Sequence, residues 1–586
     1  MSRLIVPRRT VLAGGAALGL VGPSLAHTAR AAFEAPVFDG SSRRLYPAES
    51  ATGMVTSREA IAAHVGAQVL ALGGNAVDAA IATGFALSVT LPQAGGIGGG
   101  GFMVAHLAEP GTTVAFDFRE VAPAAARREM FLAADGSTDQ ERARYSHASA
   151  GVPGVVAGYA EALERWGTWP LASIMAPAIR LAREGFPASR WLIRDIDRSM
   201  PRFEKWPQSL AVMRKPDGSA WRLDDAFRQP DLANTLEAIA RDGPQAFYEG
   251  PIAVAIAEEM RRHDGLIDEA DLAAYRTVTR KPVWGRYLGL DIASMPPPSS
   301  GGAHLIQMLN ILEGFHLGAL GAGSAQTIHL MVEAMRRAYA DRSRHVGDPA
   351  FYAVPLSGLI DKGYADVLRA DIDPDRATPS ELIGPGDAPS WSDGNTTHLS
   401  VMDRAGNAVA LTTTLNFAFG TRIVAEGTGV FLNNEMNDFA SAPDRPNAWG
   451  LVSGDANAVE PGKRPLSSMS PTLAFVDGRP VLATGARGGG QIITSVMQVI
   501  LNMIEHRMNL AEATLAPRVH HQWRPDTLRM EPGFSPDTIE RLAAMGHAVE
   551  PSGSLGTVQS VRRVEGGGYR GVSDPRRPGG TAVGVD

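Results

Sequence analysis

Leu399 and Val401, then Val409 and Leu411, alternate with polar or small residues. A period of two is the mark of half-buried strands. Asp403-Arg-Ala-Gly-Asn407 supplies the turn between them. A hairpin centred on Ala405 sets Thr396 opposite Thr414 and puts Asn416 one two-residue step further along the same face. A slip of one residue would put these groups on opposite faces. A second hairpin is predicted from Leu473–Val476 and Val481–Thr484, with Asp477-Gly478 in its turn. Phe102 to His106 and Thr113 to Phe118 read as a further strand pair.

Helical stretches flank these strands. Thr56-Ser57-Arg58-Glu59 fits a capping box with Glu59 at the third helical position. That helix runs to about Leu72, where Gly73-Gly74 ends it, and Asn75 and Asp78 suit the start of a second helix through Leu87. Residues 148–339 are mostly helical in pattern, interrupted by Met295-Pro-Pro-Pro-Ser-Ser-Gly-Gly302 before a helix over Ala303–Glu313. Trp166, Trp191, Trp206 and Trp221 read as packing residues. Residues 374–394, rich in Pro, Gly, Ser and Asp, read as an exposed connection. The run Gly95-Gly-Ile-Gly-Gly-Gly-Gly-Phe102 lacks GxGxxG spacing and a P-loop lysine, so close backbone packing is favoured over a nucleotide site.

Composition narrows the chemistry. The 586 residues, 44% hydrophobic and 20% charged, are those of a globular protein large enough for two domains or one large core. A net charge of −7 argues against a nucleic-acid partner. With no cysteine in the chain, disulfides, thiolate catalysis and Cys-ligated metals are excluded. At the N-terminus, Arg8-Arg9 precede a short Ala/Gly-rich apolar run, a twin-arginine (Tat-type) signal pattern over residues 1–31. The run is too short to span a membrane comfortably. Its removal deletes four arginines and no acid, giving −11. The expectation is a periplasmic or secreted protein with no stable membrane insertion.

Asn395-Thr396-Thr397-His398 carries the candidate chemistry. A hydroxyl here becomes a nucleophile if the chain is cut before it, because the freed α-amine lies within reach as a base. Gly485-Ala-Arg-Gly-Gly-Gly490 ends the second hairpin and opens an apolar helix running from Ile492 to about Met508. Backbone N–H groups at such a start can hold an oxyanion.

These residues resemble the γ-glutamyltransferase family of N-terminal nucleophile hydrolases. The match covers nearly the whole mature chain: "GGNAVDAA" (73–80), "GIGGGGFM" (96–103), "DFRE" (117–120), "MPPPSSGG" (295–302), "ADRSRHVGDP" (340–349), "NTTHLSV", "LNNEMNDF" (432–439), "GDANAVEPGKRPLSSMSPT" (454–472) and "APRVHHQW" (516–523). The resemblance implies a four-layer αββα sandwich, an α/β (α+β) fold of two subunits from one precursor. Cleavage between Asn395 and Thr396 would give a large subunit 32–395 and a small subunit 396–586, intertwined as one domain. It implies that Thr396 attacks the γ-carbonyl carbon of glutathione or another γ-glutamyl compound, that Thr414 orients it, and that Gly488 and Gly489 form the oxyanion hole. Arg119, Ser467 and Ser468 match the positions that hold the substrate α-carboxylate; Asn416, Glu435 and Asp438 match those that hold its α-ammonium. Water or an amino-acid or peptide acceptor would take the acyl group, with no cofactor and no metal.

Other readings stay open at single positions. Arg119 has possible ion-pair partners in Asp117 and Glu120, Ser467-Ser468 reads also as a turn, and Asp438 as a helix cap. His398 is read as a strand residue, and His520 and His521 as packing residues. Ala486-Arg487 before the glycines, Trp449 in the lid loop (about 440–455) and the ending "GGTAVGVD" depart from common family patterns. Two alternatives follow: a glutaryl-cephalosporin-acylase-like amidohydrolase of the same family, and an exported binding protein that does not cleave itself.

Overall fold

In the computed structural model the described residues are 45–383, 396–441 and 451–586. The signal pattern, Asn395, most of the 374–394 connection and Trp449 lie outside them. Two seven-stranded sheets form the centre. The alternation read from the sequence decides how they stack. Leu399, Val401, Val409 and Leu411 enter an apolar cluster with the helices Ala60–Ala71, Ala76–Thr90, Val155–Trp166 and Leu171–Glu184. Met402, Ala408, Ala410, Phe102 and Val104 point the other way. There they meet Leu473, Ala483 and Val561 of the second sheet, together with residues of the helices Gly301–Leu312, Ala325–His345 and Gln491–Ile504. The layers therefore run helix, sheet, sheet, helix, with apolar contacts between each pair. The mixed αββα expectation holds.

The first sheet places Thr396–Met402 and Ala408–Thr414 at its centre, flanked by Gly53–Ser57 and Gly100–Leu107. The register matches the one predicted: Thr396 faces Thr414, Leu399 faces Leu411 and Val401 faces Val409. Gly100–Leu107 pairs with Thr112–Phe118 as expected. The second hairpin is present as Thr472–Val476 and Arg479–Arg487, the latter running three residues past Thr484. The helix after it spans Gln491–Ile504, ending short of Met508.

Three local readings are corrected. Thr56 and Ser57 belong to a strand, and Glu59 itself caps the Ala60–Ala71 helix, accepting from the N–H groups of Ile61 and Ala62 at 3.0 and 2.9 Å. A carboxylate at that position also suits the positive end of the helix dipole. Asn75 and Asp78 do form a capping box, and their helix continues to Thr90. Within the mostly helical 148–339 stretch, Val283–Tyr287 and Leu290–Ser294 form a hairpin that ends the second sheet.

The glycine run at 95–102 is a packing device. A Cβ at Gly98 would stand 2.1 Å from the Phe431 carbonyl oxygen, and one at Gly99 2.0 Å from that of Thr414. Only glycine lets the segment slide under the end of the Ala408–Thr414 strand. Among the described residues, no helix is long and apolar enough to cross a membrane.

Candidate active site

Thr396 begins the central strand and is 5% exposed. Its Oγ1 lies 3.3 Å from Thr414 Oγ1, the neighbour set by the hairpin register. Thr414 Oγ1 also accepts the Asn416 N–H at 2.8 Å. The strand ends at Thr414, and Asn416 has a φ of +71°. Asn416 is therefore a left-handed turn residue, not the next in-face step of the strand. That conformation suits Asn. Its side chain still reaches the site, and its Nδ2 donates to the Asn434 carbonyl at 3.0 Å.

A small, solvent-open cavity lies over Thr396. Thr414, Asn416 and Gly489 line it beside the threonine. Arg119, Glu435, Asp438, Ser467 and Ser468 line it as well. These residues arrive from distant stretches of chain: the end of a strand (Arg119), a 3₁₀ turn Glu435–Asp438, and a loop leaning on the Pro-rich segment 295–302. The Ser467 N–H donates to the Pro298 carbonyl and the Ser300 N–H to that of Ser467, each at 2.9 Å. Asn433 fixes the 3₁₀ turn: its Oδ1 accepts the Glu435 N–H, and its Nδ2 donates to the carbonyls of Gly98 and Gly151. Gly488 is adjacent but off the cavity wall, with a φ of +129°; Gly489 has +56°. Both values favour glycine.

Arg119 is 1% exposed and sits among acids. Its guanidinium pairs with Glu435, with Asp438 Oδ2 at 2.6 Å and with Glu120 Oε2 at 3.5 Å. Asp117, the other partner considered, is instead held by Arg280 and Arg464. Burial works to lower the Arg119 pKa, but Glu435, Glu120 and Asp438 together hold it above the usual arginine value. Burial pushes Glu120 up to about 7 against the pull of Arg119. It also raises Glu435 well above the carboxylate range, with Glu120 and Asp438 adding to the effect. The cation and anions predicted to grip opposite ends of a zwitterion grip each other here.

Arg342 is the residue the sequence reading missed. It lines the same cavity and is 3% exposed. Nε donates to Ser300 Oγ at 2.9 Å and Nη2 to Ser468 Oγ at 3.1 Å, while Nη1 has no hydrogen-bond partner. Burial lowers its pKa to about 10, which leaves it charged at neutral pH. Its place in "ADRSRHVGDP" was the available signal.

The histidines do not enter the cavity wall. His398 is buried in its strand between Thr412 Oγ1 (2.8 Å) and Ser400 Oγ (3.1 Å), and burial lowers its pKa to about 3. His520 bonds Thr494 Oγ1 at 2.9 Å and His521 bonds Asp526 at 3.1 Å, both buried. Arg487 is buried at the strand end opposite Thr557. Trp166, Trp206 and Trp221 pack against the first core, and the Arg194 guanidinium lies over the Trp191 ring.

An αββα sandwich with a threonine opening a central strand beneath such a cavity defines an N-terminal nucleophile hydrolase. The Gamma-glutamyltranspeptidase family model matches residues 62–584, and the chain belongs to that family. A glutathione hydrolase proenzyme of Escherichia coli (strain K12) is 49% identical over 91% of each chain. The crystal structure of a cephalosporin acylase from Bacillus halodurans superimposes with a TM-score of 0.82 at 28% identity, over 94% of this chain and 99% of that one. The Helicobacter pylori gamma-glutamyltranspeptidase gives a TM-score of 0.54 at 46% identity, over 56% of this chain and 93% of that one.

Proposed function

We propose that this chain is the precursor of an exported γ-glutamyltransferase and glutathione hydrolase. It cleaves its own Asn395–Thr396 bond, giving subunits 32–395 and 396–586 that stay together as a heterodimer. The observation that carries this reading is the Thr396–Thr414 hydroxyl contact at 3.3 Å, beneath a cavity walled by both an arginine pair and an acid pair. Once Thr396 is an N-terminus, its α-amine takes the Oγ proton and Oγ attacks the γ-carbonyl carbon. Thr414 holds Oγ on course. The backbone N–H groups at Gly488 and Gly489 receive the oxyanion. Collapse expels the amine, here the cysteinylglycine of glutathione, which takes up the proton. Water or an acceptor amine then releases the γ-glutamyl group from the threonine ester.

Substrate binding re-partitions the charges. The α-ammonium takes Glu435, Asp438 and Asn416, and the α-carboxylate takes Arg119, Ser467 and Ser468. Ser468 is itself backed by Arg342. A bidentate guanidinium suits a carboxylate. The twin-arginine pattern at Arg8-Arg9 supports export.

Similarity to a cephalosporin acylase supports a second reading, hydrolysis of glutaryl amides. A glutaryl group has no α-amine, so it would leave Glu435 and Asp438 without their cation. Comparing γ-glutamyl and glutaryl anilides tests the choice. We expect at least tenfold higher kcat/KM for the γ-glutamyl compound; faster release from the glutaryl one would overturn the transferase reading.

A further inference from the structure

Away from the Thr396 cavity, the fold gathers three metal-ligating side chains. His147 opens the 3₁₀ turn His147–Ser149, Glu259 lies near the end of the helix Pro251–Arg262, and His263 follows that helix. Their donor atoms all lie within 4.8 Å of one another. His147 Nε2 is 2.9 Å and His263 Nε2 3.8 Å from the same oxygen, Glu259 Oε1. The two imidazoles stack with centroids 4.8 Å apart, and the Trp206 ring stands edge-on to both.

Glu259 is 1% exposed, and its second oxygen, Oε2, has no hydrogen-bond partner. Gln208 Nε2 donates to Oε1 at 2.8 Å. Arg262 stands 4.0 Å from Oε2 and is also engaged with Glu426 and Glu258. Oε2 accepts no hydrogen bond and faces the Arg262 guanidinium at 4.0 Å, so the burial of this carboxylate is only partly compensated. Both imidazole nitrogens face the other oxygen, Oε1, and a cation held between Oε1 and the two imidazoles would offset the burial of this carboxylate.

We propose that His147, Glu259 and His263 form a binding site for a first-row transition-metal ion of the Zn²⁺ type. Two imidazole nitrogens and a carboxylate oxygen are a donor set zinc takes at about 2.0–2.2 Å, with water in the fourth position. Tetrahedral ligands at that bond length stand roughly 3.4 Å apart, between the 2.9 and 3.8 Å found here. His263, 38% exposed at its side chain, forms the rim through which an ion and its water enter. Imidazole and carboxylate donors favour Zn²⁺, Cu²⁺ or Ni²⁺ over Mg²⁺. The ion would also brace the candidate active site from behind. The His147–Ser149 turn packs on Glu435–Asp438, and the Gly151 N–H donates to Asn433 Oδ1.

The test is calorimetric titration of the full, chelator-treated protein with ZnCl₂ in a non-coordinating buffer, beside His263→Ala and Glu259→Gln. We expect one more ion bound by the wild type than by His263→Ala, and at least tenfold weaker binding in Glu259→Gln. Zn²⁺ should raise the Tm of the wild type and leave that of His263→Ala unmoved. Equal uptake by wild type and His263→Ala, or Mg²⁺ binding as tightly as Zn²⁺, would overturn the assignment. His263 lies at the surface, so its variant keeps the test decisive even where Glu259→Gln fails to fold.

Discussion

Replacing Arg119 with methionine should cost fold stability as well as substrate affinity. The guanidinium is 1% exposed and faces Glu435, Asp438 and Glu120. Methionine keeps much of the volume and removes the charge. Deleting one partner of a buried ion pair costs about 3–5 kcal/mol, because the remaining charge is uncompensated. Here two of the stranded acids are already displaced upward by burial, Glu120 to about 7. Without Arg119 both move further and take up protons in the folded state. A carboxyl whose folded pKa is raised gives stability that is complete below its ordinary value of 4.5 and lost as pH rises through the folded pKa. The variant's deficit should therefore be larger at pH 8 than at pH 5. Urea denaturation is compared in the Thr396→Ala background, which should stay in one piece. We expect a deficit of about 3–5 kcal/mol at pH 8, smaller by at least ~1 kcal/mol at pH 5. In the processed enzyme KM should rise. A deficit under about 1 kcal/mol at pH 8, or one equal at both pH values, would refute the reasoning.

Thr414→Val removes the hydroxyl beside Thr396 and strands the Asn416 N–H, a loss of about 1–3 kcal/mol. It should slow γ-glutamyl anilide turnover about 10–100-fold, whereas Thr414→Ser should keep most activity; a twofold effect in the valine variant would discount the contact. His398, held neutral by a pKa of about 3, gives stability that is present above 6.5 and lost as pH falls through 3. Each pH unit in that window costs about 1.4 kcal/mol. Tm measured against pH should fall less steeply for His398→Asn than for the wild type, and parallel curves would contradict the burial argument.

The central hairpin was legible because its strands alternate cleanly and its turn is short, so symmetry about Ala405 determines the pairing of Thr396 with Thr414. The Val283–Tyr287 strand was not: it lies at a sheet edge, with Trp284 45% exposed, inside a stretch of helices. Thr56-Ser57-Arg58-Glu59 has the residues of a capping box, yet pairing with the Thr396–Met402 strand holds Thr56 and Ser57 in the sheet. Tertiary pairing overrode a local signal. The cavity wall was visible only through the family motifs, since spacing cannot bring Arg119 to Glu435. Arg342 escaped because an arginine in a long helix usually marks a solvated face, and only the packed structure shows it buried.

The claim on which the rest depends is that Thr396 acts as an N-terminus. Intact mass and N-terminal sequencing of the purified protein test it directly, beside Thr396→Ala. We expect two fragments from the wild type, one beginning Thr396-Thr397-His398, and a single unprocessed, inactive chain from the variant. A wild-type protein that turns over γ-glutamyl anilide as one uncut chain would contradict the account.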